Sequence, residues 1–450
     1  MAKMFDTSLR LDAPGPRGIP MVNNLRFLAH PAWYTLDRLA PLTPGPVLAA
    51  TGGNGSVALV RGEEPVRRFF TDNDTFHRLS DGVFSVPQGR PWSKMFEAVI
   101  TFNGERHGRS RRLLMPIMHK SVMEHYGEVF AGTFARSRFA RADGEPFDMA
   151  AEFLAITRAN MLTGLLGLEA DAANVELVEQ VVALLQTTLN PAVFLFQVER
   201  AWTPYGRWTS RVAGIYERFA ALVERRRAEE PARDALSILC HTVDGEGDAL
   251  TTPEIAGELH GLLAAGFETT AMTMTWAMLA LAGTPDVRAD DDETLDAVVK
   301  ESQRLIPTVP LSLPRRVTRD VEIGGSAPVP KGALLFASPM LEHLDPEVFP
   351  DPHVFLPSRW AGLRPSPYRF LPFGVGQRRC LGAAFADLQV RTTLGLALAR
   401  GEPEVVTPHV DYRIKSGATA FPAKPLIIRF ARRPARHTPI TGSVRKLWAA

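Results

Sequence analysis

Only two cysteines, Cys240 and Cys380, occur among the 450 residues. That is too few for a disulfide framework or a structural zinc site, so any special role for sulfur rests on a single thiol. An excess of one charge is missing as well: 51 Lys and Arg stand against 49 Asp and Glu, a net charge of +2. Such a balance gives no global field for capturing nucleic acid or a membrane surface. Met1 to Arg10 hold no apolar stretch of the signal-peptide kind, and a chain with free thiols is expected in the reducing cytoplasm. The one apolar run long enough to cross a bilayer, 259–282, contains His260, Glu268 and four threonines. That polarity marks a buried helix with a functional notch rather than an integral membrane span.

What the sequence does contain is core material: 45% hydrophobic and 22% charged residues describe a globular chain. Pro14, Pro16 and Pro20 make the opening stretch an extended arm. Alternating β-branched residues with glycine turns over Thr51–Val60 and Val317–Phe336 read as short strands sharing one small sheet. From about 130 to 300 the apolar spacing is helical, as in Val175–Thr188, Tyr205–Glu229 and Leu295–Leu305. Prolines crowd 307–372, so that segment is a coil held by tertiary contacts. The expectation is a mainly α chain with small β-sheets, an α+β fold. In the last twenty residues Arg432, Arg433, Arg436, Arg445 and Lys446 meet no acid, so 431–450 reads as a basic, flexible C-terminal tail.

The sharpest local signal is the run Phe373-Gly-Val-Gly-Gln-Arg-Arg-Cys-Leu-Gly382, followed by a helical pattern over Ala383–Ala399. Gly374 and Gly376 permit a tight turn and a close approach to a flat group. The helix start points free N–H groups at the Cys380 sulfur. Phe373 can shield that sulfur from water, Arg378 offers a rigid fork for a carboxylate, and Gly382 keeps the face beside the thiol flat. Cys240, in the helical Ser237–His241 stretch, reads instead as a core cysteine.

This loop resembles that of the cytochrome P-450 superfamily, the haem-thiolate monooxygenases of soluble bacterial type, and further motifs extend the resemblance over roughly 10–430. It implies a single catalytic domain over 1–430, with haem b (iron protoporphyrin IX) between a long central helix and the helix after the cysteine loop. Cys380 is then the axial ligand of the iron. Glu301 and Arg304, three residues apart, together with Arg359 of Phe355-Leu-Pro-Ser-Arg-Trp360, resemble the family's structural Glu-Arg-Arg triad. Trp360 takes the place of the more usual phenylalanine. His107 and Arg111, at i and i+4, resemble the donors to a haem propionate, and Arg315 resembles another, with Arg316 as the alternative.

The long helix is expected to start with Thr252 as N-cap and to reach about Ala282. Midway, in Ala264-Ala-Gly-Phe-Glu-Thr-Thr270, the Thr269 hydroxyl can return to the Ala265 carbonyl. Glu268 and Thr269 resemble the family's acid–threonine pair that passes protons to dioxygen. The function implied is oxidation of a lipophilic small molecule, by hydroxylation or epoxidation, with dioxygen as co-substrate. The chain carries no nucleotide fingerprint of its own, so its electrons come from NAD(P)H through a separate reductase and a ferredoxin or flavodoxin-like donor. Arg106, Arg109, Arg112, Lys120, Arg378 and Arg379 are the candidate basic face for that donor. A peroxide-driven peroxygenase and a non-enzymatic haem-binding protein are the alternatives, and the retained Glu268 and Thr269 argue against both. Candidate pocket walls are Phe84, Phe96, Val99, Phe196, Leu263, Phe267, Val309 and Phe421, which specify a lipophilic ligand and no more.

Overall fold

In the computed structural model, residues 9–448 are described except 10, 18–21, 24–25, 28–33, 43–44, 51–55, 79–85, 142–143, 189–192, 194–196, 285, 416–418 and 432–437. The helices that matter here are α1 (Glu63–Thr71), α2 (Gly104–Leu114), α3 (Lys120–Ala135), α4 (Met149–Asn160), α5 (Ala172–Thr188), α6 (Pro204–Ala228), α7 (Thr252–Ala282), α8 (Asp292–Leu305), α9 (Pro339–His343) and α10 (Ala383–Leu398). Most helical residues fall between 104 and 305, so the helical stretch starts earlier than the range of about 130 to 300 that the apolar spacing predicts. Helix α1 shows the cause on a small scale: Pro65, Val66, Phe69 and Phe70 recur at helical spacing and are the residues it buries.

The expected small sheet has five strands in the order β1-β2-β6-β5-β3: β1 (Val47–Ala49), β2 (Val57–Val60), β3 (Phe76–Arg78), β5 (Arg315–Val317) and β6 (Leu334–Ala337). Strands β1, β2 and β6 are apolar and buried at every position because both faces are covered. Val47, Ala49, Ala58, Val60, Leu335 and Ala337 enter one core, while Leu48, Val57, Leu59, Leu334 and Phe336 enter another. Strands β4 (Phe147–Asp148), β10 (Ile427–Ala431) and β7 (Glu402–Val405) form a second sheet, and β8 (Tyr412–Lys415) pairs with β9 (Thr419–Pro422).

Helix α7 begins one residue earlier than the sequence reading places it. The N-cap is Thr251, whose side chain and backbone form a capping box with Glu254. Glu254 stands at the third helical position only if Thr251 is the cap, and that reciprocal pairing selects the register. From Thr270 to Leu281 every residue of α7 is buried. Its first half differs: Gly261, Leu262, Ala264, Ala265, Gly266 and Thr269 all keep solvent access, so one stretch of an otherwise internal helix borders open space.

The C-terminal stretch corrects the expectation of a flexible tail. Ile440, Val444, Leu447 and Trp448 are buried in the main core, and His409 bridges to Thr441. Counting basic residues missed four apolar anchors at 440, 444, 447 and 448 that dock the segment. Arg432, Arg433 and Arg436 lie outside the described residues.

Candidate active site around Cys380

The loop that presents Cys380 closes on itself, the Cys380 N–H donating to the Phe373 carbonyl at 2.9 Å. Gly374 and Gly376 sit at φ of 62° and 75°, a region that side chains disfavour, and a Cβ on Gly376 would press on the Phe70 carbonyl at 3.2 Å. Gly382 is the N-cap of α10 and has no side chain to satisfy the first helical N–H groups. Its own N–H turns to the sulfur instead. Cys380 is solvent-accessible, yet the sulfur is deep enough that desolvation raises its pKa; the Gly382 N–H, Arg379 and Arg111 act in the opposite direction. Cys240 is buried, its thiol pushed up to about 11 by desolvation, and donates weakly to the Val223 carbonyl at 3.8 Å. Of the two, only Cys380 is placed to bind a metal.

Next to this loop the fold gathers cations with few acids beside them among the described residues, Asp72 being the one that acts on Arg315. His107 of α2 is 6% exposed and Arg315 of β5 is fully buried, whereas Arg316 is half-buried and points back to the Gly332 carbonyl. The register therefore assigns the inward position to Arg315. Directly across the β3–β5 pair stands Arg78, a residue the sequence reading missed, because nothing in its local pattern sets it apart from a surface arginine. Like charges facing each other on a sheet repel. Burial, then Arg315 and Arg378, hold the Arg78 guanidinium well below its usual pKa. Burial, then Arg378, bring Arg315 down to about 9. His107 falls to about 4, through burial first and then Arg378, Arg111, Arg78 and Arg315, and is neutral at pH 7.

Arg378 donates to the Phe102 carbonyl and to Asn103 Oδ1, and Asn103 also brackets the Arg78 backbone at 2.8 and 3.1 Å. Arg111 reaches the Arg379 carbonyl at 2.9 Å and so ties α2 to the cysteine loop. Arg78 Nε, Arg315 Nε and Nη2, and Arg378 Nη1 are buried donors with no partner among the described residues. Orphaned cationic donors of this kind suit an anion.

A second buried network centres on Glu301. Glu301 and Arg304 are both fully buried on α8. The carboxylate accepts from Arg304 at 2.8 and 3.0 Å, from Arg359 Nε at 2.9 Å, from the Leu356 N–H at 3.0 Å and from Trp360 Nε1 at 3.0 Å. The two arginines then satisfy the carbonyls of His343, Pro350, Pro352 and Val354. The proline-rich coil is ordered because these guanidinium groups supply the donors that its own backbone lacks. Tryptophan at 360 is more than a bulky stand-in, since its indole N–H completes the carboxylate's shell. Trp360→Phe should lower stability by about 1.5–3 kcal/mol, the value of one hydrogen bond to a charged group. A thermal melt of the haem-loaded protein checks this, and an unchanged midpoint would contradict it.

On α7, Thr269 Oγ1 donates to the Ala265 carbonyl at 2.7 Å, as its spacing predicts, and Thr270 does the same to Gly266 at 3.0 Å. Glu268 is 7% exposed, while Ala265 is exposed and Thr269 half-buried. A buried acid thus adjoins an accessible hydroxyl on the helix that packs against α10.

A family model described as Cytochrome P450 matches residues 13–290 and 293–428. The chain belongs to the cytochrome P450 family. Among its relatives, the Mycobacterium tuberculosis H37Rv protein bearing the name cytochrome P450 138 is 30% identical over 334 residues, covering 70% of this chain and 74% of that protein. Cytochrome P450 137 of M. tuberculosis CDC 1551 is 28% identical over 459 residues, with 94% and 92% covered. The solved retinoic acid bound cyanobacterial CYP120A1 superposes with a TM-score of 0.74 at 22% identity, covering 94% of this chain and all of that one. A second P450 structure, CYP102L1, gives 0.70 at 21%, covering 84% and 92%. Both structures support the mainly α P450 fold with small sheets.

Membership implies haem, and the residues present fit it. Cys380 offers an accessible sulfur, and the unpartnered donors of Arg78, Arg315 and Arg378, with His107 and Arg111, suit the two propionates of a P450 haem.

The pocket walls are rearranged relative to the sequence reading. Leu263 and Phe267 are each two residues from Ala265, about 200° around the helix. They face the opposite side and are buried in the core, at 0% and 7% exposure. Apolar character near the notch predicts a wall, but the helical phase of both residues turns them away from it. Leu262 and Ala264 are accessible instead. Phe96 and Val99 are half-buried beside the first half of α7, where Phe96 packs on His260 at 5.7 Å. Val309 is half-buried and follows Thr308, which joins Thr273 of α7 at 2.9 Å and receives the Ala420 N–H at 2.8 Å. Phe421 is core. Phe84 and Phe196 lie outside the described residues.

Proposed function

We propose that this haem-thiolate monooxygenase oxidises a lipophilic small molecule in the space bordered by Phe96, Val99, Leu262, Ala264 and Val309, using dioxygen and two electrons from a separate protein. Haem held through Cys380 supplies the reductive activation of dioxygen. The observation that carries the reading is the accessible strip on α7, where the Thr269 hydroxyl adjoins buried Glu268. With its proton directed to the Ala265 carbonyl, Thr269 Oγ1 presents lone pairs that orient a water. Glu268 holds the proton that this water passes on.

For the electrons, no nucleotide-binding segment is recognisable in the sequence, and a ferredoxin or flavodoxin-like donor with an NAD(P)H-fed reductase is the source we favour. The basic face for it is smaller than the six residues read from the sequence. Arg106 pairs with Glu97, Arg109 with Asp244 and Glu254, and Arg378 turns inward. Arg112, Lys120 and Arg379 are exposed with no ion pair among the described residues, and exposed Met115 lies beside them. An acidic partner surface suits that patch. No described helix is long and apolar enough to cross a membrane, and we place the enzyme in the cytoplasm, where such donors and free thiols coexist.

Thr269→Ala tests the relay. Substrate binding and the first reduction should stay as in the wild type, while donor electrons are diverted from product to hydrogen peroxide, lowering product per electron several-fold. The measurement counts electrons consumed, peroxide released and product formed. Wild-type coupling in the variant would remove Thr269 from the relay.

A further inference from the structure

Glu258 is a buried acid that the chemistry above does not use. It is 3% exposed. Its two oxygens accept the Val99 N–H at 3.0 and 3.1 Å, and Oε1 accepts from Ser110 Oγ at 2.5 Å. One carboxyl group therefore ties together three elements distant in sequence: α7, the turn over 97–102, and α2. The turn follows Phe96 and carries Val99, and α2 carries His107 and Arg111. Backbones also meet here, since a Cβ on Gly257 would fall 2.6 and 2.7 Å from the Glu97 and Lys94 carbonyl oxygens. The turn thus rests on the helix at its start and is held at its middle by the Glu258 side chain of α7.

A cavity of about 20 Å³, enough for one water, lies against Ser110 and Glu258 among charged groups. The turn contributes Glu97, which pairs with Lys94 and Arg106. Helix α2 contributes Arg106 and Arg109, the latter paired with Asp244 and with Glu254 of α7 itself. These charges largely neutralise each other and leave Glu258 without an ion-pair partner among the described residues.

We infer that Glu258 is a positioning residue, a proton-controlled latch that holds the 97–102 turn against α7 and so sets access to the substrate pocket. The inference rests on reading Phe96 and Val99 as pocket wall. Desolvation raises the carboxyl pKa to about 7; the Ser110 and Val99 hydrogen bonds oppose the shift, Glu254 adds to it, and Arg106 opposes it. With the turn lifted, the carboxyl meets water and titrates near its ordinary value of 4.5. The closed state then binds more protons than the open one between pH 4.5 and 7. Closure is strongest at the acid end, weakens as pH rises through that window, and levels off above 7.

The test is hydrogen exchange of the 98–102 amides in haem-loaded wild type and Glu258→Gln between pH 5.5 and 8, corrected for intrinsic exchange. In the wild type the opening constant should rise by up to about tenfold between pH 5.5 and 6.5 and flatten above 7. Glutamine keeps an acceptor for Val99 and a group that can pair with Ser110 but cannot ionise, so its profile should be flat. The rate of carbon monoxide binding to the ferrous proteins should follow the same two profiles. Should Glu258→Gln fail to load haem, Ser110→Ala serves: it should raise the opening constant at every pH. Identical protection in wild type and variants would overturn the latch. Altered protection with unchanged carbon monoxide rates would overturn its role in access. Neither readout involves substrate oxidation, so failure here is distinguishable from failure of the monooxygenase reading.

Discussion

Glu301→Ala is expected to yield little soluble, haem-loaded protein, rather than a folded enzyme with slow turnover. Removing the carboxylate strands Arg304, which is fully buried, together with the donors of Arg359, Trp360 and Leu356. Breaking a buried pair from one side costs roughly 3–5 kcal/mol, a large part of the 5–15 kcal/mol that typically holds a protein folded. The damage also has a route to the haem side. Arg304 bonds the His343 carbonyl at 3.0 Å, and His343 Nε2 accepts the Leu371 N–H at 2.7 Å, two residues before Phe373. Soluble yield and haem absorbance per mole of protein measure the effect. A well-folded variant with full haem content and only reduced turnover would refute a structural role for Glu301.

The second large effect is at the thiol. Cys380→Ala should lose oxygenase turnover completely, while Cys240→Ala should keep it, since the Cys240 side chain is packed in the core and its thiol bonds the Val223 carbonyl. The cost of Cys240→Ala is limited to a small loss of packing and a weak hydrogen bond, about 1 kcal/mol of stability. Turnover and melting of both variants, prepared in parallel, check the contrast. Equal losses at the two positions would indicate general damage and leave no special place for Cys380.

The sequence was most informative where chemistry demands a fixed local spacing. The cysteine loop, the Glu301–Arg304 pair and the Thr269 to Ala265 hydrogen bond all lie within one turn or one short loop, and the structure places each as the spacing predicts. It was least informative where a role arises from distant elements. Arg78 looks like any surface arginine until β3 pairs with β5 and sets it opposite Arg315. Glu258 sits among polar and apolar neighbours without a motif, and only the packing of α7 on the 97–102 turn buries it.

Leu263 and Phe267 differ, because helical phase relative to Thr269, which the spacing itself fixes, turns both away from the notch. The C-terminal segment failed through composition: five uncompensated charges over twenty residues suggested solvent, but Ile440, Val444, Leu447 and Trp448 supply enough apolar surface to dock it. The basic face shrank because Arg106 and Arg109 have acidic partners, Glu97 close in sequence and Asp244 and Glu254 over 130 residues away.

Cys380 as a thiolate ligand to haem iron is tested most directly by one spectrum. Freshly purified wild-type protein, reduced and exposed to carbon monoxide, should show the red-shifted Soret band that distinguishes thiolate from histidine ligation, and Cys380→His should lose it. A histidine-type band in undamaged wild-type protein, or an unchanged red-shifted band in Cys380→His, would contradict the assignment.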